Sequence, residues 1–192
     1  MMLSWRTVAY VWFGQQQKAT DKAFEALRAG KVIAVPTDTL YRFACDACTW
    51  EAVNRIYEIK HTGPLAICVG DVIDIKWFAV TDYLPHGLLA SLLPGPVTVV
   101  FFIRAVARGL GRAVVLTSAN LSGQPSSVCV KDFENLWEHC AYVYDGVVLP
   151  SSRAGSTVVD LTRLGKYKIL RPGSAVEETT IILQKHSLVE ES

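Results

Sequence analysis

The chain has 192 residues, 51% of them hydrophobic, and a mean hydropathy of +0.26, which suits one domain with a real core. Its 19 Lys+Arg and 18 Asp+Glu leave a net charge of +1, so bulk charge decides nothing about a nucleic-acid partner. The longest apolar run, Val97–Ile103, falls far short of the ~20 residues of a membrane-spanning helix. No small-residue cleavage site follows an apolar core in "MMLSWRTVAYVWFGQQQ", so a soluble intracellular protein is expected.

In chain order, residues 1–17 read as a poorly ordered N-terminal extension. Residues 18–29 read as a helix with Ala23, Phe24, Ala26 and Leu27 on one side, Thr20 or Asp21 as N-cap and Gly30 as its stop. Residues 31–35 form an apolar strand that ends at Pro36 and a small-polar group, Thr37-Asp38-Thr39. A second helix is expected over 49–60, capped by Thr49, with Ala52, Val53, Ile56, Tyr57 and Lys60 sharing a face. "PLAICVGD" (64–71) reads as a buried strand, 74–93 as weakly helical, and "GPVTVVFFIR" (95–104) as a further strand. "AVVLTSANLSG" (113–123) gives another strand with a polar end. A third amphipathic helix is expected near 130–140, then a strand at 141–147. Residues 156–162 and 166–171 read as a hairpin joined by Leu164-Gly165, and 176–187 as a final helix. Strands alternating with helices, closed by a hairpin, predict an α/β fold with a twisted mixed sheet flanked by helices.

Five scattered cysteines (Cys45, Cys48, Cys68, Cys129, Cys140) read as reduced thiols. Cys45-x-x-Cys48 is a single pair, with only His139-Cys140 to complete a zinc site, and no metal site is expected. The four histidines form no triad, and the chain has no Walker or dinucleotide glycine motif and no G-x-S-x-G. Three polar clusters stand out: Thr37-Asp38-Thr39, Thr117-Ser118-Ala119-Asn120, and Gly155-Ser156-Thr157. At strand ends such groups suit a phosphate or carboxylate; each is also ordinary turn and cap chemistry.

The order of several blocks carries a further reading. "GKVIAVPTDTLY" (30–41), "ACDA" (44–47), "AVNRIYEIK" (52–60), "PLAICVGDV" (64–72), "LLPGPVTVV" (92–100), "LTSANLSG" (116–123), "GSTVVDL" (155–161) and "ILRPG" (169–173) together resemble the YrdC-like threonylcarbamoyl-AMP synthases. The resemblance implies a single YrdC-like domain over 18–192. It implies a nucleotidyltransferase that makes threonylcarbamoyl-AMP and pyrophosphate from L-threonine, bicarbonate/CO2 and ATP, with ATP as substrate accompanied by Mg²⁺. The product would pass to a tRNA threonylcarbamoyl transferase complex in the cytoplasm, with a mitochondrial pool left open. By position, Thr37, Thr39 and Ser156 would contact threonine, and Lys60, Ser118, Asn120, Ser126 and Arg171 would contact ATP. Without the resemblance, Lys60 reads as a cation at a helix C-terminus and Arg171 as a partner for Asp160.

Three departures from the family pattern are visible. Arg42 stands where the pattern has Gly, with bulk and a backbone conformation that Arg disfavours. "KHTGPLA" (60–66) lacks the Arg of a Lys-x-Arg motif and a further Lys. Between "VTVVFFIR" and "AVVLTSAN" a strand, its V-x-R-x-P end and a helix are missing, with only Arg104, Arg108 and Arg112 to restore charge. An alternative is therefore a catalytically impaired nucleotide- or RNA-binding module. Arg153, Arg163, Lys166, Lys168 and Arg171 would line its groove for double-stranded RNA or tRNA.

Overall fold

Gly30, at φ 66°, ends the first helix where the sequence places its stop. Its amide donates to the Leu27 carbonyl at 3.0 Å, and Lys31 donates to Ala26 at 2.9 Å, the paired bonds of a left-handed helix end. The computed structural model describes residues 8–10, 16–37, 39–61, 65–77, 81–93, 112–146, 148–149 and 155–191. These fall into two compact units, one within Met1–Gly70 and Val100–Arg153, the other within Asp71–Val99 and Ala154–Ser192.

Among the described residues the first unit is built on a six-stranded mixed sheet. Its elements are β1 (Val8–Tyr10), α1 (Gln16–Arg28), β2 (Ile33–Pro36), β3 (Tyr41–Asp46), α2 (Trp50–Lys60), β4 (Ala66–Cys68), β5 (Val114–Ser118) and β6 (Tyr142–Asp145). The strand order is β1-β6-β2-β3-β5-β4. β6 runs parallel to β1 and β2, and the other pairs are antiparallel. This is the α/β architecture expected from the sequence. Tyr41, Phe43 and Cys45 alternate along β3 and meet Ala52, Ile56 and Ile59 of α2 together with Phe133, Leu136 and Val143. The Phe133 ring lies 5.6 Å from Tyr41 and 6.0 Å, edge-on, from Phe43, a geometry that adds to plain area burial.

Several expectations shift. Val8–Tyr10 pairs with Val143–Asp145 inside the stretch expected to be poorly ordered. α1 begins at Gln16, so Thr20 and Asp21 lie within it and do not cap it. Thr49 holds the N-cap position of α2 but gives no cap bond; its hydroxyl donates to Asp46 Oδ2 at 3.2 Å. Tyr57 lies outside the buried stripe, which is Ala52, Ile56, Ile59 and Lys60. Of the buried strand expected at 64–71, Ala66–Cys68 forms β4, which pairs with β5 among the described residues and leaves Ile67 52% exposed. The helix near 130–140 is a tight 3₁₀-type coil, Val130–His139, interrupted at Phe133 by φ −133°. The strand expected at 95–104 and residue Asp38 lie outside the described residues.

The second unit holds a three-stranded sheet, β7 (Val158–Asp160), β8 (Lys166–Arg171) and β9 (Val189–Glu190), in the order β7-β8-β9. With it go a 3₁₀ turn (Val72–Trp77), α3 (Leu88–Leu92) and α4 (Val176–Lys185). β7 and β8 are the expected hairpin, turning at Gly165 with φ 69°. β9, parallel to β8, was not expected. Tyr167, Leu88, Leu92, Leu183 and Leu188 form the core of this unit, with Val159 and Ile169 against it.

Candidate functional site

Two clusters, one in each unit, contain most of the residues singled out by sequence. In the first unit Lys60 ends α2 and is 5% exposed. Its ammonium donates to the Ser118 carbonyl (2.9 Å), Ser118 Oγ (3.1 Å), the Asn120 carbonyl (2.8 Å) and Asn120 Oδ1 (3.4 Å). Burial pulls its pKa from 10.5 down to about 8, and the Arg42 guanidinium pushes it the same way. A charge taken out of water among uncharged oxygens holds its proton less tightly. The helix end is tied down from the other side as well, since Ser122 Oγ donates to the Lys60 carbonyl at 2.8 Å.

Asn120 is fully engaged. Its amide nitrogen donates to the carbonyls of Leu121 (2.9 Å) and Gln124 (2.7 Å) while its oxygen receives Lys60. Such a saturated side chain fixes the loop that follows β5. Ser126 is half-buried further along that loop. Its neighbour Ser127 donates to the Ala119 carbonyl at 2.7 Å, and the Ser127 carbonyl receives the Tyr41 amide at 2.9 Å.

Thr37 and Thr39 sit in the β2–β3 connection and differ in state. The buried Thr37 hydroxyl donates to the Leu40 carbonyl at 2.6 Å and accepts the Leu40 amide at 3.2 Å, so it closes its own turn. Thr39 Oγ1 is buried with no hydrogen-bond partner among the described residues, a state that a native chain seldom leaves unused. Tyr41, absent from the sequence reading as a site residue, bridges this end of the sheet. Its hydroxyl donates to Asp145 Oδ1 at 3.3 Å and accepts the Gly146 amide at 2.8 Å. Gly146 is there because a Cβ would come within 2.5 Å of the Pro36 ring.

Arg42 lies on β3 opposite Ser118 of β5 and is 7% exposed. The strained backbone expected for it is absent: Arg42 has ordinary extended geometry, and among the described residues the positive-φ positions other than glycine are His61 and Ser187. Of the arginines proposed to restore charge, Arg112 pairs with buried Asp46 at 3.1 Å, and Arg104 and Arg108 lie outside the described residues. Cys45 is buried, its thiol pushed up to about 12 by that burial, and Cys48 is exposed. Among the described residues no three His, Cys, Asp or Glu side chains group around a common point.

In the second unit Ser156 and Arg171 come together, for Arg171 Nη2 donates to the Ser156 carbonyl at 3.0 Å. Arg171 is therefore not the partner of Asp160, whose carboxylate accepts the Thr162 amide at 2.8 Å and is held below its ordinary pKa by Thr162. Gly173 permits the contact. A Cβ on it would lie 2.2 Å from the Thr157 nitrogen and 2.4 Å from the Gly155 carbonyl oxygen. Ser174 donates to that same carbonyl at 3.0 Å. The Thr157 hydroxyl, next to Ser156, is buried without a partner among the described residues. Sequence reasoning placed Thr157 in a polar cluster without giving it a role, and held Gly173 only within the "ILRPG" block.

Among the described residues no helix is long and apolar enough to cross a membrane. The profile of the Sua5/yciO/yrdC family, described as "Telomere recombination", matches residues 25–106 and 101–173. The chain is 41% identical over 209 residues to the threonylcarbamoyl-AMP synthase of Bos taurus, covering 92% of this chain and 75% of that protein. That alignment is longer than the 192-residue chain, so the relative has segments with no counterpart here. The two profile matches overlap at 101–106. The fold is that of Escherichia coli YciO (20% identity, TM-score 0.75, 88% of this chain and 97% of that one). It is also that of Pyrococcus abyssi Sua5 complexed with L-threonine (22%, TM-score 0.74, 95% and 61%). By profile, by identity and by fold, the chain belongs to the Sua5/YciO/YrdC family.

Proposed function

We propose that this chain is a threonylcarbamoyl-AMP synthase. Its similarity to the bovine enzyme over 92% of its length carries the reading. In the proposed reaction the amine of L-threonine loses a proton and takes up CO2 as a carbamate. A carbamate oxygen then attacks the α-phosphate of ATP in line, the bond to the bridging oxygen breaks, and pyrophosphate leaves. The adenylate would pass to a tRNA-modifying transferase. Such a step depends on cations along the triphosphate and on a fixed nucleophile.

Within each unit the contacts suit the roles that the resemblance implies. Lys60, clamped between Ser118 and Asn120, would hold the phosphate end of ATP by exchanging one side-chain oxygen for a phosphate oxygen. Arg171 and Ser126 would contact the nucleotide. Thr39 and Ser156 would offer hydroxyls to threonine, while Thr37 would set the turn that presents Thr39. Mg²⁺ keeps most of its waters and binds chiefly through phosphates, so in this reading it arrives with the nucleotide and needs no cage of side chains.

A nucleotide-binding module without chemistry is the second reading, favoured by the segments present in the relative and missing here. The RNA groove draws less support. Arg163 is ion-paired to Glu191, and Lys168 lies across the hairpin from Asp160, which offsets two of the five cations that would meet a phosphate backbone.

The test is a thermal melt of the purified chain alone and with Mg²⁺, ATP and L-threonine, followed by a pyrophosphate-release assay. A ligand that binds only the native state adds ~2.7 kcal/mol of stability at a hundred times its Kd. A raised midpoint with pyrophosphate release supports the synthase, and a raised midpoint without release supports the binding module. A midpoint that ignores both ligands overturns both readings.

A further inference from the structure

Arg42 and Lys60 bring two buried cations to the same end of the central sheet. Arg42 stands directly opposite Ser118 in the β3–β5 ladder, and strands in such a ladder lie about 5 Å apart. Ser118 in turn accepts Lys60 through its carbonyl (2.9 Å) and hydroxyl (3.1 Å) oxygens. Both side chains are more than nine-tenths buried. The guanidinium is close enough to weaken the hold of Lys60 on its proton, and the oxygens around that ammonium, from Ser118 and Asn120, are all uncharged.

We propose that Arg42 is a phosphate-binding residue of the nucleotide site, forming with Lys60 a two-cation seat for the polyphosphate of ATP. The inference rests on the synthase reading and names a residue for it. Two like charges buried side by side repel, and a polyanion placed against both removes that repulsion. It gains further because the surroundings screen charge poorly. A guanidinium offers a planar fork of donors that matches two phosphate oxygens, and Lys60 supplies a point charge beside it.

The alternative is that Arg42 merely fills the space a ligand would use. Calorimetric titration of tripolyphosphate, and separately of Mg²⁺-ATP, into wild type, R42M and R42G distinguishes the two, with a cooperative melt required of each variant. Loss of one charge-assisted contact is expected to weaken tripolyphosphate and ATP by about ten- to a hundredfold in R42M. Equal or tighter binding by R42M or R42G overturns the proposal and makes Arg42 a plug, while the synthase reading stands on wild-type ATP binding. Wild type that binds neither ligand overturns both. If neither variant melts cooperatively, the wild-type protein decides: the Arg42 Nε–H resonance shifts when tripolyphosphate binds, and an unmoved resonance in the bound protein overturns the seat.

Discussion

At the scale of single residues, Gly173 decides whether Arg171 and Ser156 can meet. With only hydrogen on its α-carbon, two backbone segments approach so closely that a methyl group would overlap the Thr157 nitrogen at 2.2 Å and the Ser156 carbonyl carbon at 2.3 Å. These contacts are with backbone, which cannot swing aside as a side chain can, so Gly173→Ala must push the 155–157 segment away from β8. The expected cost is about 1–3 kcal/mol, as for other overpacking, read as a lower urea midpoint at unchanged m-value. If Arg171 holds the nucleotide as proposed, the thermal shift that ATP induces is lost with it. A G173A protein with wild-type stability and wild-type ATP response would remove this glycine from the argument. At this scale the sequence names residue types well and contacts poorly. Thr37 and Thr39 look equivalent in "PTDTLY", yet one hydroxyl closes its own turn and the other stays open. That difference arises from the turn's path, which is not written in the two side chains.

At the scale of elements, the C-terminus of α2 carries strain that the sequence conceals. His61 caps the helix at φ 61° with its amide donated to the Tyr57 carbonyl at 2.7 Å, a left-handed conformation that costs a β-carbon-bearing residue about 1 kcal/mol. His61→Gly is therefore expected to raise stability by roughly 0.5–1 kcal/mol despite the greater freedom of glycine when unfolded, measured as a higher midpoint in chemical denaturation. A fall in midpoint would show that the imidazole makes a contact worth more than the strain. Long apolar or periodic runs, such as α1, α2, β2, β5 and the β7–β8 hairpin, were legible because burial dictates their pattern. β4 was not. "PLAICVGD" is apolar over most of its length, but only Ala66–Cys68 of it is strand, and strand length depends on which residues find partners in the sheet. β1 and β9 were missed for the same reason. Three residues and two residues carry too little periodicity, and only their parallel partners, β6 and β8, make strands of them. The expected third helix is interrupted at Phe133, whose ring packs against Tyr41 and Phe43.

At the scale of the whole molecule, the buried titratable groups set how stability responds to alkali. Lys60 has a pKa of about 8 folded against its ordinary 10.5, so between those values the unfolded chain binds the extra proton, and stability rises with pH. Cys45 works in the opposite direction, with about 12 folded against 9.0 ordinarily. Above pH 9 the unfolded thiol ionises first and stability falls. Tyr41 and Tyr144, both raised chiefly by burial above 10.0, add to that fall once the unfolded phenols ionise. One proton gained or lost changes stability by ~1.4 kcal/mol per pH unit. The curve should therefore climb from about pH 8 to 9, level off to about pH 10 as the lysine and cysteine slopes cancel, and drop steeply beyond. Urea unfolding at half-unit steps from pH 7 to 11 gives the wild-type curve. Lys60→Met should erase the climb and leave a profile that is flat to about pH 9 and then descends. A K60M profile that still rises between 8 and 9 would place the titrating group elsewhere. A wild-type profile with no rise would mean that the four oxygens around Lys60 hold its proton as firmly as water does. Lys60 would then be a fixed cation at every pH at which the chain is folded, and its repulsion from Arg42 would have to be relieved by something already inside the protein.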